Sequence, residues 1–292
     1  MIVAVVGPTA AGKSELGIAL ARELGGEVVN ADSMQLYLGM DIGTAKLPRA
    51  QWQGVPHHLL DVWEVTRPAT VAAYQQLCRG VLDDLLARGV VPVLVGGSGL
   101  YLRAALDDLR FPGTDPALRA ELEAELAAHG PARLHARLAG LDAAAAARME
   151  PSNGRRTVRA LEVVLMTGSM PGRLTSYDPL YDATYVGVDR EDLPERIAAR
   201  VDRMWEGGLV GEVERLVGDG LRDGVTASRA LGYAQVLDLL DGTLDERQAR
   251  EQTVTATRRF ARRQRSWFRR DPRVRWLPGP EAGPALEVLR TS

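Results

Sequence analysis

Residues 2–14 constrain this chain more than any other stretch. An apolar run of strand length, Ile2–Val6, meets Gly7, Pro8, Thr9, Ala10, Ala11, Gly12, Lys13 and Ser14, and helical periodicity then continues to Leu24. Strand, glycine-rich turn and helix in that order make a phosphate-binding P-loop. The glycines let the backbone curl so that several N–H groups meet one anion, and the helix N-terminus adds a favourable dipole. Lys13 is suited to neutralise phosphate oxygens and Ser14 to ligate Mg²⁺. Lys13 and Lys46 are the only lysines, all other strong bases being arginine. That bias agrees with a need for a compact point charge in the cradle. The motif leaves the phosphate compound open, since ATP, GTP and other diphosphates fit equally well.

The rest of the chain extends this start. Gly25-Gly26 ends the first helix, Glu27–Asn30 reads as a second strand, and Pro68–Arg88 carries helical periodicity. Val90–Val95 reads as a buried strand closed by Gly96-Gly97-Ser98-Gly99. Continuous apolar runs alternating with helices predict an α/β, P-loop NTPase-like parallel sheet with helices on both faces. From Pro112 to about Asp182 only helical stretches are legible, at Pro116–Ala128, Pro131–Leu138, Ala143–Met149 and Gly154–Met166. Thr184–Val188 resumes the strand pattern. The chain is helical from Leu193 to an Arg-rich helix at about Asp245–Arg270, and Val274–Leu277 suits a last strand. The expected organisation is a catalytic core of 1–111 plus 184–292, with a helical insertion of 112–183 and a helical C-terminal region.

With 292 residues and 46% hydrophobic content, the chain can bury a large core. No stretch reaches the roughly 18 apolar residues of a membrane span, and the start lacks the marks of a signal peptide. Cys78 is the only cysteine, which excludes a disulfide framework and a Cys-based zinc site. A soluble, cytoplasmic monomer without membrane or obligate protein partner is expected.

Asp32 follows the second strand and so falls at the carboxyl edge, where ligands bind in parallel sheets. Such a carboxylate accepts a proton, holds a metal or caps a helix, and position alone does not choose. At the same edge the third strand ends in glycines and Ser98, suited to close approach of an anion and a hydroxyl hydrogen bond. Asp83-Asp84, Asp107-Asp108 and His57-His58 lack metal-site spacing and read as structural. The net charge of −2 hides a basic region from Arg247 to Arg275. In it, Phe260 and Trp267 are expected to form the buried stripe of a helix. Arg262, Arg263, Arg265 and their neighbours outnumber the local acids, which suits a phosphate backbone. Arg155, Arg156 and Arg159 make a smaller group in the insertion. A small-metabolite P-loop kinase, with Asp32 orienting the acceptor, is the main alternative. The Gly-Gly-Ser-Gly end and the Arg-rich helix speak against it. The intact Lys13-Ser14 pair speaks against a non-enzymatic RNA-binding protein.

Taken together, the motifs resemble the bacterial tRNA dimethylallyltransferases, also called tRNA isopentenyltransferases. The resemblance rests on GPTAAGKS at 7–14, NADSMQLYLGMDIGTAK at 30–46, VPHHLLDV at 55–62 and VLVGGSGLY at 93–101. It continues through RRTVRALEV at 155–163, SRALGYAQ at 228–235 and TRRFARRQRSWFRR at 257–270. It implies transfer of a dimethylallyl group from dimethylallyl diphosphate to N6 of adenine 37, with the P-loop holding the donor's diphosphate. Asp32 then matches the general base. Lys13, Ser98 and Mg²⁺ at Ser14 serve the leaving group, and Arg196 and Arg200 are further diphosphate partners. The positions implied for the tRNA anticodon stem-loop are Asp32, Ser33, Met34, Gln35, Ser98, Arg119, Arg155, Arg156, Thr157, Val158 and Arg159, with the basic C-terminal helices. Three residues depart from the family pattern: Ser98 in place of threonine, Ala11 in place of serine and Arg155 in place of glutamine.

Overall fold

Every residue of the first strand, β1 (Ile2–Val6), is buried, because the strand lies inside a sheet covered on both faces. In the computed structural model, which describes residues 1–170 and 177–291, five further strands join it: β2 (Glu27–Asn30), β3 (His57–His58), β4 (Pro92–Gly96), β5 (Ala183–Val188) and β6 (Val274–Leu277). Their order is β3-β2-β4-β1-β5-β6, and every pairing is parallel. The helices in chain order are α1 (Lys13–Leu24), α2 (Val71–Ala87), α3 (Gly99–Leu106), α4 (Pro116–Leu141), α5 (Ala143–Ala146) and α6 (Gly154–Thr167). They continue as α7 (Leu193–Glu206), α8 (Leu209–Gly218), α9 (Tyr233–Leu240), α10 (Glu246–Phe268) and α11 (Ala282–Arg290).

Alternate residues of β1 enter different cores, as the two-residue strand period requires. Ile2, Ala4 and Val6 pack with Tyr74 and Leu82 of α2, Leu102 of α3, and residues of α8 and α9. Val3 and Val5 pack with Leu16 and Leu20 of α1 and Ala285 of α11. The sheet is therefore the middle layer of an α/β/α sandwich, as its apolar runs predict. Among the described residues no helix is long and apolar enough to cross a membrane.

Residues 110–177 form a second compact unit, the first being 1–109 with 178–292. The second unit has its own core, in which Leu122, Leu134 and Leu138 of α4 meet Val158 and Leu161 of α6. The two stretches predicted at Pro116–Ala128 and Pro131–Leu138 run on as α4. A break in helical geometry remains at Gly130 (φ 76°), where Pro131 has no N–H to donate. Of the span read as wholly helical, residues 171–176 lie outside the described residues.

Three of these elements are absent from the sequence reading, one of them α11, which lies beyond the last strand read. β3 is a two-residue edge strand, too short to carry a period. α3 starts at Gly99, inside a glycine-rich stretch that reads as a turn. His58 bonds Glu27 at 2.6 Å, and His57 stacks on Trp52, so this pair is structural, as read.

Candidate active site

The P-loop joins β1 to α1 at the carboxyl edge of the sheet. Gly7 sits at φ 139°, and a Cβ there would come within 2.3 Å of the Val188 carbonyl oxygen, so no other residue fits. Gly12 precedes α1 in the left-handed region, and no side chain caps the helix. Its first-turn N–H groups are thereby left to an anion, which the helix dipole also favours. Lys13 Nζ donates to the Pro8 carbonyl at 2.7 Å, folded back along the loop. Burial lowers its pKa to about 8, countered by the Asp32 charge and reinforced by Arg200. Arg196 and Arg200, one turn apart on α7, both reach the loop. Arg196 Nε donates to the Ala10 carbonyl at 2.9 Å, and Arg200 Nη1 to Thr9 Oγ1 at 3.1 Å. Burial also pulls the Arg200 guanidinium below its usual range.

Asp32 leaves β2 on a frame built by Asn30. Asn30 Oδ1 accepts the Asp32 N–H at 2.9 Å, while Nδ2 donates to the carbonyls of Asp32 (3.0 Å) and Leu59 (2.9 Å). Asp32 Oδ1 accepts the Met34 N–H at 2.9 Å, closing an Asx turn rather than capping a helix. Its other carboxylate oxygen has no protein partner among the described residues. Asp32, Lys13, Ser14, Thr9, Arg196 and Arg200 line one cavity of about 900 Å³, which Gln35 also borders. Ser98 opens α3 without capping it, and its Oγ accepts the Ser33 N–H at 3.4 Å. Ser98 is thus tied to the residue next to Asp32, with its own proton free to donate.

Ile42, Thr44, Ala45 and Lys46 also line the cavity, and their segment is held by a residue the sequence reading missed. Glu212 of α8 is buried and accepts the N–H groups of Asp41 (3.2 Å), Ile42 (2.8 Å) and Gly43 (3.2 Å), as well as the Tyr233 hydroxyl. Burial and the adjacent carboxylate push the Tyr233 phenol far up, so it stays a donor. Glu212→Ala strands four donors around an empty space. It is expected to lose about 3 kcal/mol of stability in urea unfolding. A loss near zero would mean that water replaces the carboxylate.

Comparison with known proteins places this site in a family. The family model for IPP transferases matches residues 35–271. A tRNA dimethylallyltransferase of a Parafrankia species is 64% identical, covering 99% of this chain and 91% of that protein. The Streptomyces coelicolor tRNA dimethylallyltransferase is also 64% identical, covering 95% and 90%. This chain belongs to the tRNA dimethylallyltransferase family. The fold agrees. The crystal structure of a Bacillus halodurans tRNA isopentenylpyrophosphate transferase superposes with a TM-score of 0.71 at 38% identity, covering 99% of this chain and 93% of that one. A eukaryotic dimethylallyltransferase acting on tRNA gives 0.78 at 26% identity, covering 91% and 69%.

The basic surfaces of this family member depart from expectation in several places. On α6, Arg155 and Arg156 are exposed, but Thr157 and Val158 face the unit's core and cannot touch a bound RNA directly. Thr157 Oγ1 donates instead to the Asn153 carbonyl. Arg119 and Arg159 both pair with the buried carboxylate of Glu162, and Arg159 also donates to the Pro112 and Gly113 carbonyls. These two arginines fasten the unit's first segment to α6. On α10, Phe260 is only half-buried and Trp267 is 38% exposed. The buried stripe is Ala249, Thr253, Ala261, Gln264 and Phe268: Ala249 and Phe268 join the core that holds Tyr74 and Leu102, and Gln264 fits against Gly97. Asp189 holds Arg265 at 2.7 Å and Arg269 at 3.2 Å, so acids elsewhere in the chain compensate part of the helix. Arg262 and Arg263 remain exposed without an acidic partner among the described residues.

Proposed function

We propose that this chain transfers the dimethylallyl group of dimethylallyl diphosphate to N6 of adenine 37 in tRNA, giving N6-(dimethylallyl)adenosine and diphosphate. One observation carries the reading: a carboxylate with a free oxygen and a P-loop flanked by two arginines open into the same cavity. The allylic C–O bond breaks with its electron pair passing to the diphosphate. The P-loop N–H groups, Lys13, Arg196 and Arg200 stabilise that developing charge. As the C–N bond forms, N6 becomes cationic and gives its proton to Asp32, while Ser98 orients the adenine edge. The base must be flipped out of its stack to reach the cavity.

Mg²⁺ suits this site. Ser14 and Asp32 offer oxygen donors to one cavity, and Mg²⁺ typically takes one or two protein oxygens together with phosphate and water. Ser14 would hold it, and it would neutralise diphosphate oxygens. Among the described residues there is no cluster of three or more His, Cys, Asp or Glu that would hold a metal without phosphate. Arg155, Arg156, Arg262 and Arg263 are the exposed cations for the phosphate backbone of the anticodon stem-loop. The enzyme acts in the cytoplasm and needs no obligate protein partner.

The test is transfer of labelled dimethylallyl groups to unmodified tRNA carrying A36-A37-A38, in the presence of Mg²⁺. The expected result is label on A37, with apparent tRNA affinity falling steeply as salt rises. Absence of transfer together with robust ATP turnover would replace this reading with the kinase.

A further inference from the structure

Gln264 is a polar residue on the buried face of an otherwise very basic helix. It is 5% exposed, and its carboxamide is bonded at both ends. Oε1 accepts the Thr9 N–H of the P-loop at 2.8 Å, and Nε2 donates to the Gly97 carbonyl of the loop after β4 at 2.9 Å. The fit is close. A Cβ on Gly97 would lie 2.2 Å from Gln264 Nε2, and one on Gly99 would lie 2.1 Å from the Trp267 ring. Packing alone would be served by leucine, whereas a buried amide costs stability unless both its ends are bonded. What the amide adds is a fixed distance between two backbone groups. One belongs to Thr9, whose hydroxyl is held in turn by Arg200; the other immediately precedes Ser98.

We propose that Gln264 is a positioning residue that locks the P-loop to the Gly97–Ser98 loop, holding the diphosphate cradle in register with the groups that receive the adenine. The proposal rests on the transferase reading above. It also gives one helix two duties, because Arg262 and Arg263 lie on the outer surface of the same α10.

The experiment compares full-length wild type with Gln264→Leu and Gln264→Glu. Thermal melting is followed together with inorganic diphosphate binding by calorimetry and steady-state transfer. Gln264→Leu lacks both hydrogen bonds and is expected to lose about a hundredfold in kcat, with the tRNA KM changed by less than about twofold. Its diphosphate affinity should fall about tenfold. Ionised Gln264→Glu accepts from Thr9 but faces the Gly97 carbonyl with a second acceptor. Once protonated, it both accepts and donates as the amide does. Its buried carboxyl is raised in pKa by desolvation. Its kcat relative to wild type should therefore recover at least about tenfold between about pH 8 and about pH 6. Wild-type kcat and diphosphate affinity in both variants would overturn the proposal. So would losses that follow only the melting temperature and do not recover in Gln264→Glu at low pH. If Gln264→Leu does not fold, the pH profile of Gln264→Glu decides. Failure of the wild type to transfer prenyl would instead overturn the transferase reading, and the diphosphate arm would still report on Gln264.

Discussion

Replacing Asp32 by Asn is expected to slow prenyl transfer about a thousandfold while leaving tRNA binding within about twofold of wild type. The substitution tests one property, because Asn Oδ1 can still accept the Met34 N–H that Asp32 Oδ1 accepts now. The Asn30 frame bonds only the backbone of residue 32, so the loop keeps its path. What the variant lacks is the negative charge and proton affinity of the oxygen that faces the cavity. A neutral amide can still hydrogen-bond to N6 but cannot take its proton, so the cost falls on the chemical step. Single-turnover transfer with enzyme in excess isolates that step, and a gel-shift titration reports tRNA affinity. Rates like those of wild type would reduce Asp32 to the residue that closes a turn. Equal losses in binding and turnover would make it an orienting contact.

The parts of the site that the sequence made legible are those whose chemistry is local. Strand, glycine turn and Lys13-Ser14 lie within thirteen consecutive residues, and Asp32 follows from its place after a short apolar strand. The missed residues act over long sequence separations. Gln264 bonds a loop 255 residues away, and Glu212 accepts from a loop 169–171 residues away. Neither has a local pattern, and in sequence Gln264 is one more polar residue among arginines. Phe260 and Trp267 do share a helix face by spacing, but spacing cannot say which face is buried. The partner decides that: Gly97 leaves room for the Gln264 carboxamide, and Phe268 enters the core shared with α2, α8 and α9. The arginines fail in the same way. A count of charges leaves Arg119 and Arg265 as available cations, whereas the fold brings Glu162 to the first from 43 residues away and Asp189 to the second from 76; Arg159 pairs with the same Glu162 only three residues on. Only Asn30 was within reach, since an amide at a strand end two residues before a carboxylate is a recognisable turn signal.

Lys13→Ala is expected to lower kcat/KM for the prenyl diphosphate by about a thousandfold, since the lost charge faces the oxygens that gain charge as the C–O bond breaks. A finer test uses pH. In the free protein burial brings the ammonium down to about 8, with Asp32 opposing the shift and Arg200 adding to it. A bound diphosphate favours the charged form and so raises the pKa in the complex. Below about pH 8 Lys13 is charged in both states and adds no pH dependence. Above it the free protein has lost a proton that the complex retains, so binding takes up a proton. Affinity for inorganic diphosphate should then fall by up to about tenfold per pH unit until the pKa of the complex is reached. Lys13→Arg keeps its charge throughout this range, so its affinity, though weaker because the planar fork fits the cradle poorly, should lack the break. Calorimetry across the range checks both curves, with the titration of diphosphate itself common to the two. Parallel curves would mean that Lys13 stays protonated in the free protein, and that the desolvation of its ammonium is offset by more than Asp32.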